Sequence, residues 1–313
     1  YWQILPICPT GYGDSPYQSF SSFAGNPYFI DLDILRRKKL LKKEEIEAAE
    51  LVGDPSHVDF ERQYDRRYPL LRKAYARFAA HLTAEFFDFC RAEKDWLDDY
   101  AFYMAARAEN GNQGWMNWDE ELQNPTAKVR KEWEEKLADA IGYQKFLQFE
   151  FYKQWGELRA YANEKGIKII GNMPLFVSLD SADVWANPKQ FLLDEDCNPI
   201  EVAGCPPDAF SDEGQLWGNP VYNWNAHKNT DYEWWLSRLK YSLDLFDYIR
   251  IDHFRAFSTY YSIPYGSKTA RTGVWEYANG RELFSKAFDR FGAMNIIAED
   301  LGDITPDVTE LME

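Results

Sequence analysis

The sequence predicts a parallel α/β domain, closer to a (β/α)8 barrel than to a dinucleotide-binding fold. Three observations carry this. Helical stretches closed by stop signals are each followed by a short β-branched run. Those runs end in polar residues, Asn172, Asp252 and Glu299, and in parallel α/β folds the carboxyl ends of strands line the active site. The glycines of GYG, 11–13, are not followed by G-x-x-G and open no helix, so they make no dinucleotide fingerprint.

The elements follow in order. YWQILPI (1–7) is strand-like and leads into GYGDSPYQSFSSFAGNPY (11–28), a loop full of turn formers and rings. Residues 1–35 start the barrel. Residues 36–165 are rich in helix formers and charge, and read as a helical insertion carrying one barrel strand, WLDDYAFYM (96–104). Within it, RRKKLLKKEE (36–45) reads as a solvated helix face rather than a binding patch. The stretch 131–166 is helical, broken near Gly142 and closed by Gly166. Residues 166–313 continue the barrel. IKIIGNMPLFV (167–177) is a strand, and 178–230 is a loop-rich insert dense in Asn, Pro, Gly and Trp; loops that long are usually functional. DYEWWLSRLKYSLDLF (231–246) has helical spacing and precedes the strand YIRID (248–252). RELFSKAFDRFG (281–292) closes at Gly292 before NIIAED (295–300). TPDVTELME begins a further helix, with Thr305 as N-cap and Pro306 at its first position.

Composition narrows the function. Of 313 residues, 45% are hydrophobic, enough for a substantial core, yet no run of about 18 apolar residues could span a membrane. There is no secretory-type leader. A net charge of −16 repels phosphate backbones and argues against nucleic acid. Cys8, Cys90, Cys197 and Cys205 form no C-x-x-C pair, and the four histidines form no H-E-x-x-H, so neither a metal site nor a disulfide framework is expected. A reducing compartment, the cytoplasm, fits. The 17% aromatic content supplies flat rings suited to sugar faces, although most must serve the core.

The chemistry concentrates in two strand tips. In YIRID alternate side chains share a face, so Tyr248, Arg250 and Asp252 point one way and Ile249, Ile251 and His253 the other. An Asp beside an Arg stays ionised, as a nucleophile requires; a purely structural Arg–Asp ion pair reads equally well from this stretch alone. The second tip, NIIAEDLG (295–302), places Ile297 and Glu299 on one face. Asp300 suits a helix N-terminus instead. If the strands are adjacent, Asp252 and Glu299 stand side by side, one to attack an anomeric carbon and one to protonate the leaving oxygen. Two loops, 11–28 and 204–224, offer amides, hydroxyls and rings for sugar recognition, including Gln215, Trp217, Asn219 and Tyr222.

WQILPICPTGYGDSPYQSFSSFAGNPY, GCPPDAFSDEGQLWGNPVY, YIRIDHFRAF and NIIAEDLGDITPDV together resemble the 4-α-glucanotransferases, or amylomaltases, of glycoside hydrolase family 77, along essentially the whole chain. The resemblance implies a (β/α)8 barrel of the α-amylase type with helical subdomains. It implies transfer of an α-1,4-glucan segment to the 4-hydroxyl of another sugar, with no cofactor and no metal. Its partners would be α-1,4-glucans and maltooligosaccharides, with no nucleic acid and no membrane. By the same resemblance Asp252 is the nucleophile, Glu299 the acid and then the base, and Arg250 the residue that orients Asp252. His253 contacts the sugar near the cleaved bond. Ser15 and Tyr17 are donor-side contacts, Asn172 is a sugar contact, and Gln215, Trp217 and Asn219 belong to a mobile loop over the cleft.

The sequence departs from the family pattern in three places. The family's T-H-D-N motif, with its third carboxylate, does not occur before Glu313. Five barrel strands are readable, and the chain begins at Tyr1, so it reads as part of a longer protein and is expected to be inactive alone. Asn172 stands where the family commonly has Asp, and Ala209 replaces an aromatic residue. Two other functions fit the same residues: a retaining α-glucan hydrolase, and a non-catalytic glucan-binding protein.

Overall fold

The computed structural model describes residues 1–300 and 305–312. The chain divides into two compact units. Tyr1–Phe23, Gly114–Asn117 and Arg159–Glu313 form one, and Ala24–Gln113 with Trp118–Leu158 the other.

Among the described residues the first unit holds eight strands: β1 (Trp2–Gln3), β2 (Ile169–Met173), β3 (Glu201–Cys205), β4 (Gln215–Pro220), β5 (Tyr248–Ile251), β6 (Thr259–Pro264), β7 (Val274–Tyr277) and β8 (Ile296–Ala298). Four of them, in the order β1-β2-β5-β8, make the parallel sheet that the helix–strand alternation foretells. Asn172 pairs with Arg250, and Ile251 with Ala298, so the register runs on to bring Asp252 beside Glu299. Two backbone bonds extend it: Asp252 N donates to Met173 O (3.3 Å) and Glu299 N to Ile251 O (3.1 Å).

The apolar face of this sheet lies under the helix Glu233–Leu245, which buries Trp235, Leu236, Leu239 and Leu245. Ile249 and Ile251 are buried as alternation requires. Gly171 lets the Phe246 ring come down on β2, since a Cβ there would stand 2.2 Å from the ring. Directly below the sheet, the Asp247 carboxylate accepts from Ile169 N (2.8 Å), Asn163 Nδ2 (2.8 Å) and Arg159 (3.1 Å). One half-buried acid thereby ties the starts of β2 and β5 to the preceding helix.

The remaining strands form an antiparallel sheet, β4-β3-β6-β7, which the sequence reading missed. Residues 178–230 therefore hold two strands rather than loop alone. Gly218 at φ 79° and Pro220 hid β4, because both are poor strand residues. All four residues of β7 are exposed, so no period-2 burial marks it.

The second unit's regular elements are helices, among them Phe60–Ala79, Lys94–Glu109 and most of Ala138–Glu164. The strand expected at 96–104 is thus corrected to helix. Leu97, Tyr100, Ala101, Phe102, Tyr103, Ala105 and Ala106 are all buried, so this helix is apolar nearly all round and lacks the 3.6-residue stripe that separates helix from strand. The break expected near Gly142 falls instead at Leu137, between Ala127–Lys136 and Ala138–Glu164. Gly166, at φ 77°, ends the helical stretch as expected. The basic block 36–45 bends between two short helices, Leu32–Arg37 and Lys43–Ala48. Part of its charge pairs within the unit, Lys38 with Glu150 (2.7 Å) and Glu45 with Arg77 (2.6 Å).

Candidate active site

The tips of β5 and β8 open into a cavity of about 730 Å³. Ser15, Tyr17, Gln215, Trp217, Asn219, Arg250, Asp252, His253 and Glu299 all line it. Of the sequence-predicted residues Asn172 and Tyr222 do not.

Arg250 organises the floor. Its guanidinium donates to both Asp252 and Glu299. The second oxygen of Glu299 accepts the backbone N–H of His253 at 2.6 Å. One cation thus holds two carboxylates at one point, where two unpartnered like charges would repel. Asp300, the neighbouring acid, is exposed and outside the cavity.

His253 corrects the alternation argument. Strand periodicity sends it to the isoleucine face, but β5 ends at Ile251 and His253 adopts left-handed backbone, φ 52° and ψ 44°. That turn returns the imidazole to the cleft, edge-on to Trp217 at 5.1 Å. Burial pushes its pKa down to about 4, Arg255 adds to this, and Asp252 opposes it. The ring is therefore neutral near pH 7.

The wall opposite comes from the first loop and β4. Gly11 allows the loop to fold on itself, since a Cβ there would lie 1.8 Å from Gln18 O. Gln18, which sequence reasoning passed over, donates through Nε2 to Trp217 O and to Asn219 Oδ1, both at 3.3 Å. Asn219 Nδ2 donates to Val177 O at 2.9 Å, and Trp217 Nε1 to Gln215 Oε1 at 3.0 Å. The resemblance puts Gln215, Trp217 and Asn219 in a loop. The structure puts them on β4, which pairs with β3 on either side of an irregularity between Leu216 and Pro220, and all three line the cavity.

Tyr17 also lines the cavity, and burial together with the nearby Asp252 carboxylate raises its pKa. Asn172 sits behind it, donating from Nδ2 to the Tyr17 oxygen at 3.1 Å. The Asn172 amide is 6% exposed and makes this bond through Nδ2.

Pro174, Leu175 and Phe176 complete the lining along with Cys205 and Asp208. The IKIIGNMPLFV run carried the signal for the first three, because they extend β2 past its polar tip. Two buried groups hold them: Tyr222 Oη donates to Leu175 O (2.7 Å), and Arg238 donates to Leu175 O (2.8 Å) and to Pro174 O. Asp208 caps its own loop through Phe210 N and Ser211 N, each at 2.8 Å. The Phe210 side chain beside Ala209 is 98% exposed. Among the described residues, no group of three His, Cys, Asp or Glu is placed to hold a metal ion. Residues 301–304 of the NIIAEDLGDITPDV motif lie outside the described residues.

A family model described as 4-alpha-glucanotransferase matches residues 1–313. The chain belongs to the 4-alpha-glucanotransferase family. Curated relatives bear the same name: one from Clostridium butyricum is 46% identical over 99% of this chain, and one from Thermus thermophilus 44% identical over all of it. Among solved structures, an amylomaltase from Streptococcus agalactiae in complex with acarbose superposes with a TM-score of 0.96 at 43% identity, over 99% of this chain. The chain spans 64%, 62% and 63% of these three proteins' lengths, respectively. Mixed α/β architecture around a parallel sheet, of the α-amylase type, is therefore established for this part of the family fold.

Proposed function

We propose that the full-length protein is a 4-α-glucanotransferase working by retaining double displacement. The observation that carries this is the single guanidinium of Arg250 holding Asp252 and Glu299 together at the mouth of a sugar-sized cleft. Acids held that close suit retention, whose carboxyls stand roughly 5–5.5 Å apart. Asp252 attacks the anomeric carbon as the bond to the leaving O4 breaks, and Glu299 gives O4 its proton. The 4-hydroxyl of an acceptor glucan then attacks the glucosyl ester and loses its proton to Glu299, which frees Asp252. Arg250 keeps both acids oriented between steps. Neutral His253 is a hydrogen-bonding partner for the donor sugar, and Ser15, Tyr17, Gln215, Trp217 and Asn219 frame the rest of the glucan path.

The chemistry needs no cofactor and no metal. Four unpaired cysteines support a reducing compartment, the cytoplasm. No helix among the described residues is long and apolar enough to cross a membrane.

Incubating the full-length protein with maltotriose tests the proposal. Glucose plus a ladder of longer maltodextrins, with no net gain of reducing ends, is the expected result. A rise in reducing ends instead would make the protein a hydrolase, and binding without turnover would make it a glucan-binding protein. Turnover undiminished in Asp252→Asn would overturn the nucleophile assignment.

A further inference from the structure

The β3–β4 ladder breaks where β4 lines the cavity. Leu216 pairs with Gly204 and Pro220 with Val202, so Trp217, Gly218 and Asn219 stand opposite Ala203 alone. Gly218, at φ 79°, takes the left-handed turn that such a bulge favours. Among the described residues β4 is also the outer strand of its sheet. A bulge on an edge strand leaves backbone groups without ladder partners.

Gln18 supplies a partner from the first loop. Its Nε2 donates to Trp217 O and to Asn219 Oδ1, both at 3.3 Å. Backbone carbonyls fix the direction of these bonds, because they can only accept. Val177 O takes Nδ2 of Asn219 at 2.9 Å, which turns Oδ1 toward Gln18. Trp217 O and this Oδ1 then both require a hydrogen, and Nε2 carries one for each. Gln18 is itself held in place, since its backbone N–H donates to Ser15 O at 3.2 Å. Asn219 is 5% exposed, and both ends of its amide are engaged within the protein.

We propose that Gln18 is a positioning residue: by bonding the bulge of β4 it aims the Trp217 indole across the cavity, with Asn219 as the far end of the brace. The ring meets the His253 imidazole edge-on at 5.1 Å and stands 6.2 Å from Phe176. All three line the cavity that holds Asp252 and Glu299. Bulges beside active sites re-aim side chains in this way. The consequence falls on binding. An indole presented at a fixed angle packs on a sugar face in the bound substrate and in the transition state alike. Uniform binding of that kind lowers KM and leaves kcat unchanged.

This inference rests on the glucanotransferase reading, and its failure is separable from that reading's. The rate measured is consumption of maltotriose, by transfer or by hydrolysis; the products judge the reading, and the comparison of variants judges Gln18. Four full-length proteins are compared: unaltered, Gln18→Ala, Trp217→Ala and the double variant. Gln18→Ala should raise KM about tenfold, with kcat within about twofold of the unaltered value. In the Trp217→Ala background the same change should alter KM by less than about twofold, because the ring it aims is gone. A KM unmoved by Gln18→Ala, a loss carried by kcat instead, or losses that multiply across the cycle would overturn the proposal.

Gln18→Met keeps the length of the side chain without its hydrogens, and supplies a second arm should the alanine variant fold poorly. It should reproduce the rise in KM. An unaltered KM in a folded Gln18→Met protein would overturn the proposal as surely as multiplying losses.

Discussion

His227 offers a quantitative test of the core of the first unit. It lies in the helix Trp224–Asn229, fully buried at 0% exposure. The rings of Tyr222, Trp224, Trp234 and Trp235 stand around it, with centroids 5.5–6.3 Å away. Burial pushes its pKa from the usual 6.5 down to about 4, opposed by the Gln190 backbone. The folded value lies below the unfolded one, so the unfolded chain takes up the extra proton as pH falls. The associated stability is complete above about pH 6.5 and is lost as the pH drops toward 4. A gap of about 2.5 pH units is worth about 3.4 kcal/mol at most, and about 2.5 kcal/mol of it is lost between pH 7.5 and 4.5. Urea unfolding, followed by tryptophan fluorescence, should be compared at the two pH values for the unaltered protein and for His227→Phe. His253 titrates in both proteins, so it cancels in the comparison. The stability difference between the two proteins should change by about 2.5 kcal/mol across this range. A difference constant to within about 0.5 kcal/mol would refute the reasoning, because His227 would then be charging in place.

The remaining expectations are shorter to state. Arg250→Ala removes the cation between Asp252 and Glu299, so kcat should fall by about 10²-fold or more and the acid limb of the pH profile should rise; steady-state kinetics against pH check both. Gly171→Ala drives a methyl group into the Phe246 ring, and β2 is flanked by strands on both sides and cannot give way. It should cost about 2–3 kcal/mol, read as a lower midpoint in denaturant, and an unchanged midpoint would show that the ring can move aside. The maltotriose ladder and the Asp252→Asn variant described above complete the set.

Much of the site was legible because strand tips advertise themselves. Arg250, Asp252 and Glu299 are ionic residues set at the ends of β-branched runs, and the pleat alone places them on one face. His253 was placed on the wrong face because periodicity assumes that the strand continues, and a left-handed residue is invisible to it. Gln18 and Pro174–Phe176 were overlooked since nothing in their identity marks them; they matter through where neighbouring backbone carries them. The family resemblance pointed to Gln215, Trp217 and Asn219 but not to their strand, whose Gly218 and Pro220 disguise it. The helix at 94–109 failed for the opposite reason. A segment buried all round shows no stripe, and its Trp, Tyr and Phe residues then count toward a strand. Asn172 illustrates a third limit: its type says polar, but only the Tyr17 contact says what it serves.

The clasp at Asp247 has a bearing on how the cavity keeps its lining in register. A one-residue slip of β5 against β2 would carry Arg250 and Asp252 to the far side of the sheet and bring isoleucines into the cleft. The side chain that guards against this sits at the opposite end of the strand, where no sugar ever reaches. The alignment of the two acids is therefore anchored remotely, as a rifle barrel is trued at its breech. Damage to that anchor would turn Arg250 and Asp252 away from the cavity while leaving every residue that lines it intact in the sequence.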